Sequence, residues 1–495
     1  MNKNKLLKDN LKTIEGPLEL WQNFYHLTQI PRPSKKEEKV RNFVVDFGKK
    51  LGLETKVDEV GNVVIIKPGT EGMENRKGII MQAHLDMVPE KNNDKVHDFE
   101  KDPITALIDD EWLHADGTTL GADNGIGVAA AMAVLESKNI RHGPICALFT
   151  TDEETGMTGA FGIKPDFVPG EILLNLDSEE EDEVFIGCAG GTNFFEKFHT
   201  YVMDLTSRTG KKAFKLSLTG LTGGHSGCDI HLERANANKL ISRFLRMARE
   251  LNFRLSSIDG GNLRNAIPRE ASAIIVIDSE KEGDLTSLVL SFENTVKSEF
   301  SKTDPNLVFK VLDYDLPEKV MPLSFQNKVI NSIYVCPNGV IRMSNNMPGL
   351  VETSNNLAIV KSTGNTVEVS CMLRSSVNSS IKNLACTISS LFELGKAEEI
   401  ELSGSYPGWN PNPNSEILSL VKSLYEKRFG KTPKVSAIHA GLECGLLGGI
   451  YPAWDMISFG PTICSPHSPD EKVNIPSVQK FWNLLVDVLE NAPLM

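Results

Sequence analysis

The chain has 495 residues, 40% of them hydrophobic and 24% charged, with a formal net charge of −13. That balance fits a globular protein of two or three domains and argues against a nucleic-acid binder, which needs a basic surface. No run reaches the ~18–20 apolar residues that span a bilayer, so no membrane partner is expected.

The N-terminal stretch is charged and then amphipathic, without the apolar centre of a secretory leader. Eight cysteines are scattered without a CxxC pair, which argues against a thiolate zinc site or a disulfide scaffold. The expectation is a cytoplasmic protein with reduced thiols.

In chain order, "KVRNFVVDFGKKLG" (39–52) has helical periodicity and "GNVVIIKPG" (61–69) is a β-branched run between turn signals. "KGIIMQAHLDMV" (77–88) is a second apolar run. "DNGIGVAAAMAVLESKN" (123–139) is a helix of small residues. "PICALFTTDEE" and "EILLNLDSEE" each read as a buried strand followed by acids. This alternation predicts an α/β catalytic domain with a mostly parallel central sheet. Ligands of such sheets bind beyond the carboxyl ends of the strands.

From about 191 the pattern changes. "KKAFKLSLTGL" (211–221), "EASAIIVIDSE" (270–280), "NNLAIVKST" and "NTVEVSCMLRSS" read as strands, with helices at 233–252 and in the stretches that follow the strands. They predict an inserted α+β (ferredoxin-like) domain over 191–404, built from two βαββαβ halves. After 405 the α/β pattern returns, with "TPKVSAIHAGLECGLLGG", "WDMISFGP" and a closing helix. The catalytic domain is therefore expected to be discontinuous, 1–190 and 405–495.

Five segments end apolar runs with metal-binding residue types. They are "AHLD" (His84, Asp86), "GADNGIG" (Asp123), "TTDEETG" (Glu153, Glu154), "LNLDSEE" (Asp177) and "SPHSPDE" (His467). Any one alone reads as a cap or a solvated turn. Together they would require every strand of the sheet to end in such a residue by accident. Two imidazoles with several carboxylates suit two divalent ions of the Zn, Co or Mn kind, whereas all-oxygen Ca or Mg sites need no histidine. Two neighbouring cations need a bridging carboxylate, and Asp123, at the start of its helix, is the natural one. Residues 179–183 read as a solvated acidic loop. Asp152 is left to solvent or to a loop hydrogen bond.

The ordered set "HLDMV … GADNGIG … TDEETG … LNLD … GGHSG … PH" resembles the M20 metallopeptidases, nearest their aminoacyl-histidine dipeptidase branch, through "IPRPSKKE", "GADNGIG" and "HAGLECG". The resemblance spans nearly the whole chain. It implies that His84 and Asp177 bind one metal, Glu154 and His467 the other, and Asp123 bridges them. It makes Glu153 the general base that activates a metal-bridging water, and Asp86 the partner that orients His84.

The resemblance further implies that His225, in "TGGHSGCDI", reaches the substrate carbonyl, within its own chain or across a homodimer formed through the inserted lid domain. Arg374 resembles the arginine that grips the substrate's C-terminal carboxylate. Asn265, Glu443 and His439 are further substrate-binding candidates, with Glu443 or its neighbour facing the amino group or an imidazole of the dipeptide. The implied reaction is di-metal-dependent hydrolysis of Xaa-His dipeptides such as β-Ala-His. The alternatives are an N-acyl amino acid deacylase or a broader di/tripeptidase of the same fold, and a non-catalytic metal- or peptide-binding protein on that scaffold.

Overall fold

The computed structural model describes residues 5–199, 202–205 and 207–495. It divides into two compact units: Met1–Gly187 with Trp409–Ala437 and Leu442–Met495, and Cys188–Gly408 with Ile438–Gly441.

The first unit is built on an eight-stranded sheet. Its order is Glu54–Val57, Val63–Lys67, Ile145–Thr150, Ile79–His84, Ile172–Asn175, Asp455–Ser458, Glu183–Cys188 and Lys434–Ile438. The four middle strands, from Ile145–Thr150 to Asp455–Ser458, are parallel, while Glu54–Val57 and Val63–Lys67 run antiparallel to their neighbours and Glu183–Cys188 antiparallel to Asp455–Ser458. The sheet is thus mixed, which corrects the expectation of a mostly parallel one. The apolar runs that point to parallel strands are the central, doubly covered ones: Ile79–His84, Ile145–Thr150 and Ile172–Asn175 are buried at every position. The antiparallel flanks carry weaker patterns.

Helix Ala122–Glu136 is buried from Ala122 to Leu135. A helix apolar on all sides belongs inside a domain. It packs on the strand Ile79–His84 and on helix Leu18–Thr28. A second, five-stranded sheet contains Ile463–Cys464 paired antiparallel with Lys472–Asn474. Residues 465–471, which hold His467, are therefore the loop of a hairpin.

In the second unit, strands Lys211–Thr219, Arg254–Gly260, Ala271–Asp278 and Val308–Tyr314 alternate with helices Ala237–Met247 and Glu282–Glu299 in a βαββαβ order. Strands Gly190–His199, Val351–Thr363, Thr366–Ser375 and Glu399–Tyr406, with helices Leu323–Val335 and Asn378–Leu394, repeat that order around it. The halves join where Gly260 pairs with Val360, giving one nine-stranded sheet whose paired strands are antiparallel. Its core includes an edge-to-face cluster of Phe244, Phe292 and Phe309, with ring centroids 4.8–5.4 Å apart.

Candidate metal centre and substrate groups

The strand ends of the first unit are level: His84 lies opposite Thr150, and Gln82 opposite Asn175. The residues that follow each strand therefore emerge at the same end of the sheet. The strand Ile145–Thr150 stops before the acids, Asp152 takes a left-handed conformation (φ 53°), and Glu153–Gly156 forms a short helix. Adjacent residues on a strand point apart. The turn removes that conflict, because Glu153 and Glu154 no longer lie on a strand.

His84, His467 and three carboxylates meet here. His84 Nε2 lies 3.0 Å from Asp123 Oδ1 and 3.3 Å from Asp177 Oδ1. His467 Nε2 lies 2.9 Å from Glu154 Oε2 and 3.3 Å from Asp123 Oδ2. Asp123 thus turns one oxygen to each histidine. Ligand atoms of His84, Asp123 and Glu154 all fall within 4.8 Å of one another. Asn124, next to Asp123, donates to the Leu176 carbonyl (3.0 Å) and to Asp177 Oδ1, tying the two acidic loops together.

The electrostatics call for positive charge. Burial opposes a charged His84, yet Asp177, Asp123 and Asp86 outweigh it and hold its pKa well above the usual value. Hydrogen bonds to Asp123 and Glu154 raise His467 to about 11. Burial raises Asp177 to about 6 and pushes Glu153 well above the ordinary carboxylate range, with Asp177, Glu443 and Glu154 adding to it. Glu154 Oε1 is buried without a hydrogen-bond partner among the described residues. Mixed imidazole and carboxylate donors, an unsatisfied buried oxygen and a surplus of negative charge fit divalent cations.

Asp86 does two things. Its Oδ1 is 3.4 Å from His84 Nδ1, which also faces the Asp86 carbonyl at 3.2 Å. Its carboxylate also accepts the backbone N–H groups of Glu153 (3.0 Å) and Glu154 (3.2 Å). Burial opposes the Asp86 charge, but His84, Glu153 N–H and Ser34 win and lower it to about 2.

Several of the neighbouring acids are engaged. Asp152 is buried and accepts the hydroxyls of Thr155 and Thr158. The loop read as solvated is ion-paired: Glu181 with Lys480, Asp182 with Lys431 and Glu183 with Lys434. Burial raises Glu179 to about 8. Glu443, 1% exposed at the start of helix Glu443–Ile450, accepts from Gln82 (2.6 Å) and Thr150 (2.6 Å), while its Oε1 has no partner among the described residues. Burial raises its carboxyl to about 8.

The second unit holds a separate, cationic group. Arg374 is 4% exposed and donates to Ser226 Oγ (3.3 Å) and Tyr406 Oη (3.2 Å). Among the described residues no carboxylate forms an ion pair with it. His225 Nδ1 accepts the N–H groups of Gly227 (3.2 Å) and Cys228 (3.0 Å), which leaves the proton of the neutral ring on Nε2. Strand Gly224–His225 pairs with Ala266–Ile267, and the Asn265 carbonyl accepts from Ser226 N–H (2.8 Å), so the turns of His225 and Asn265 are joined. His439 Nε2 faces Ser354 Oγ at 2.7 Å, and burial followed by the Arg374 charge lowers it to about 3. A Cβ on Gly227 would lie 2.1 Å from the His439 carbonyl, so the His225 turn closes on His439 only with glycine there. Tyr406 and Ser226 were not among the residues expected from sequence. Tyr406 ends a polar edge strand, where nothing in the local pattern marks it.

Residues 80–491 match peptidase family M20/M25/M40. The chain belongs to that family. It is 47% identical over 480 residues to the cytosol non-specific dipeptidase of Escherichia coli K12, covering 97% of this chain and 98% of the relative. Its structure resembles the aminoacylhistidine dipeptidase of Vibrio alginolyticus with a TM-score of 0.92 at 47% identity, each chain covered to 98%. The aminopeptidase PepT of Bacillus cereus shares the fold at a TM-score of 0.56 and 15% identity, covering 95% of this chain and 97% of PepT.

Proposed function

We propose that the chain is a cytosolic metallo-dipeptidase that hydrolyses Xaa-His and related dipeptides with two divalent ions, zinc, cobalt or manganese. The observation that carries this reading is Asp123 placed between His84 and His467, with Asp177 and Glu154 completing the two sides. The similarity to two dipeptidases over nearly the full chain supports it.

In this reading His84 and Asp177 hold one ion, Glu154 and His467 the other, and Asp123 both. Bound there, the ions supply Lewis acidity and lower the pKa of water toward ~7. Glu153 takes the proton from the attacking water and passes it to the leaving amine. Burial raises its pKa, the direction that favours proton uptake by this group. Asp86 keeps His84 oriented and fixes the backbone of both glutamates.

His225, protonated at Nε2, offers a donor for the substrate carbonyl oxygen. Arg374, a buried guanidinium without an acidic partner among the described residues, suits the C-terminal carboxylate of a short peptide. Asn265 and His439 would contact the remainder of the substrate. A free amino group would fall to Glu443 Oε1. Strand Glu399–Tyr406, an exposed edge of the nine-stranded sheet, gives a homodimer through the second unit a surface on which to form.

The test is a hydrolysis panel with metal-reconstituted protein, comparing Xaa-His, Xaa-Gly and N-acetylated amino acids. Fastest turnover of free dipeptides is expected. Preference for N-acetylated substrates would transfer the chain to the deacylase reading.

A further inference from the structure

The turn that carries Asp123 is gripped from two sides by buried charges that the reaction above does not use. Glu471, 2% exposed, lies four residues after His467 in the same hairpin loop. Its Oε2 accepts the backbone N–H groups of Leu120 (2.7 Å) and Gly121 (3.0 Å), and its Oε1 those of Ala122 (2.7 Å) and Asp123 (3.2 Å). Arg32, also 2% exposed, donates from Nη1 to the carbonyls of Leu85 (3.0 Å) and Asp86 (2.8 Å), and from Nη2 to that of Gly121.

One guanidinium therefore ties the end of the His84 segment to the Asp123 turn, and one carboxylate ties the His467 loop to the same turn. The glycines of "GADNGIG" fit this arrangement. A Cβ on Gly121 would lie 2.6 Å from Arg32 Nη2, and one on Gly125 2.7 Å from it. Gly121 also has φ 73°, a conformation that side chains disfavour. A carboxylate buried beside Asp123 is costly in itself. The four N–H groups, at the opening of helix Ala122–Glu136, offset that cost.

We propose that Glu471 and Arg32 are positioning residues that fix Asp123 between His84 and His467, and so set how tightly the divalent ions are held. This rests on the metal reading above and deepens it. A glutamine at 471 has one acceptor oxygen, and its amide NH2 would face two of the four N–H donors. A lysine at 32 cannot reach three carbonyls in a fixed fork.

The experiment measures zinc affinity by competition with a chromophoric chelator, together with apo-protein melting, for wild type, Glu471→Gln, Arg32→Lys and Asp123→Asn. Glu471→Gln is expected to melt cooperatively without metal and to bind zinc about 10–100-fold more weakly. Its kcat should recover toward wild type at saturating zinc, with the dipeptide KM unchanged. Wild-type zinc affinity in folded Glu471→Gln would overturn the proposal. Should that variant not fold, Arg32→Lys decides by the same comparison. Wild-type zinc affinity in Asp123→Asn would instead remove the metal reading itself.

Discussion

The carboxylate of Asp86 accepts the backbone N–H of Glu153 at 3.0 Å while the same side chain faces His84 Nδ1 at 3.4 Å. One acid thereby couples His84, the proposed metal ligand, to the turn that carries Glu153, the proposed base. Replacing Asp86 by alanine should weaken metal binding by about 10–100-fold, as lost partners of ligand histidines do. It should also cost about 1 kcal/mol through the lost cap. Metal titration and melting of the apo-protein separate the two effects. Unchanged zinc affinity would show that His84 needs no such partner.

Glu153→Gln should retain its metal and lose turnover by about 10²–10⁴-fold, the range for removal of a general base. Elemental analysis and kcat on an Xaa-His dipeptide check this. Near-normal turnover would sink the assignment of the base.

In the proposed reading Arg374→Met removes a charge-assisted contact to the substrate carboxylate, worth about 1.5–3 kcal/mol. The expected result is a fall in kcat/KM of roughly 10–150-fold for free dipeptides, with metal content unchanged. Amidating the C-terminus of the substrate should cost wild type a similar factor and cost the variant little. An equal penalty in both would place the carboxylate elsewhere.

Glu196, on strand Gly190–His199, is fully buried, and among the described residues neither carboxylate oxygen has a partner. Burial raises its pKa well above the ordinary value. The sign follows from proton counting: above the unfolded pKa the native state holds a proton that the unfolded state has released. Stability is therefore complete below the unfolded carboxylate range, and falls as pH rises from there through the raised folded pKa. Glu196→Gln should remove this slope and gain on wild type between pH 5 and pH 8, by about 1.4 kcal/mol for each pH unit over which the native state alone stays protonated. Melting curves at pH 5 and pH 8 test it, and an equal difference at both pH values would contradict it.

That same glutamate explains a strand hidden from sequence reading. In "GGTNFFEKFH" the inward residues are Phe194, Glu196 and Phe198, so a charged type occupies a core position and breaks the period-two signal. Strand Glu399–Tyr406 escaped for the opposite reason, since an exposed edge needs no apolar face. The central strands were legible because burial on both faces leaves continuous apolar runs, as in Ile79–His84. His84, Glu153, Glu154 and Asp177 were legible because each ends or closely follows such a run, whereas Asp123 opens a helix and His467 lies in a hairpin loop. The supports Arg32 and Glu471 were not. Their partners are backbone groups 53 to 351 residues away, and no local pattern records a contact of that kind.

The central claim is that Asp123 joins two ion sites that make this chain a dipeptidase. Zinc added stepwise to the apo-protein, with Xaa-His hydrolysis followed at each step, tests it. The account predicts no activity without metal and full activity at about two ions per chain, with Glu153→Gln binding the same number in silence. Full hydrolysis by metal-free protein, or unchanged hydrolysis by Asp123→Ala, would contradict it.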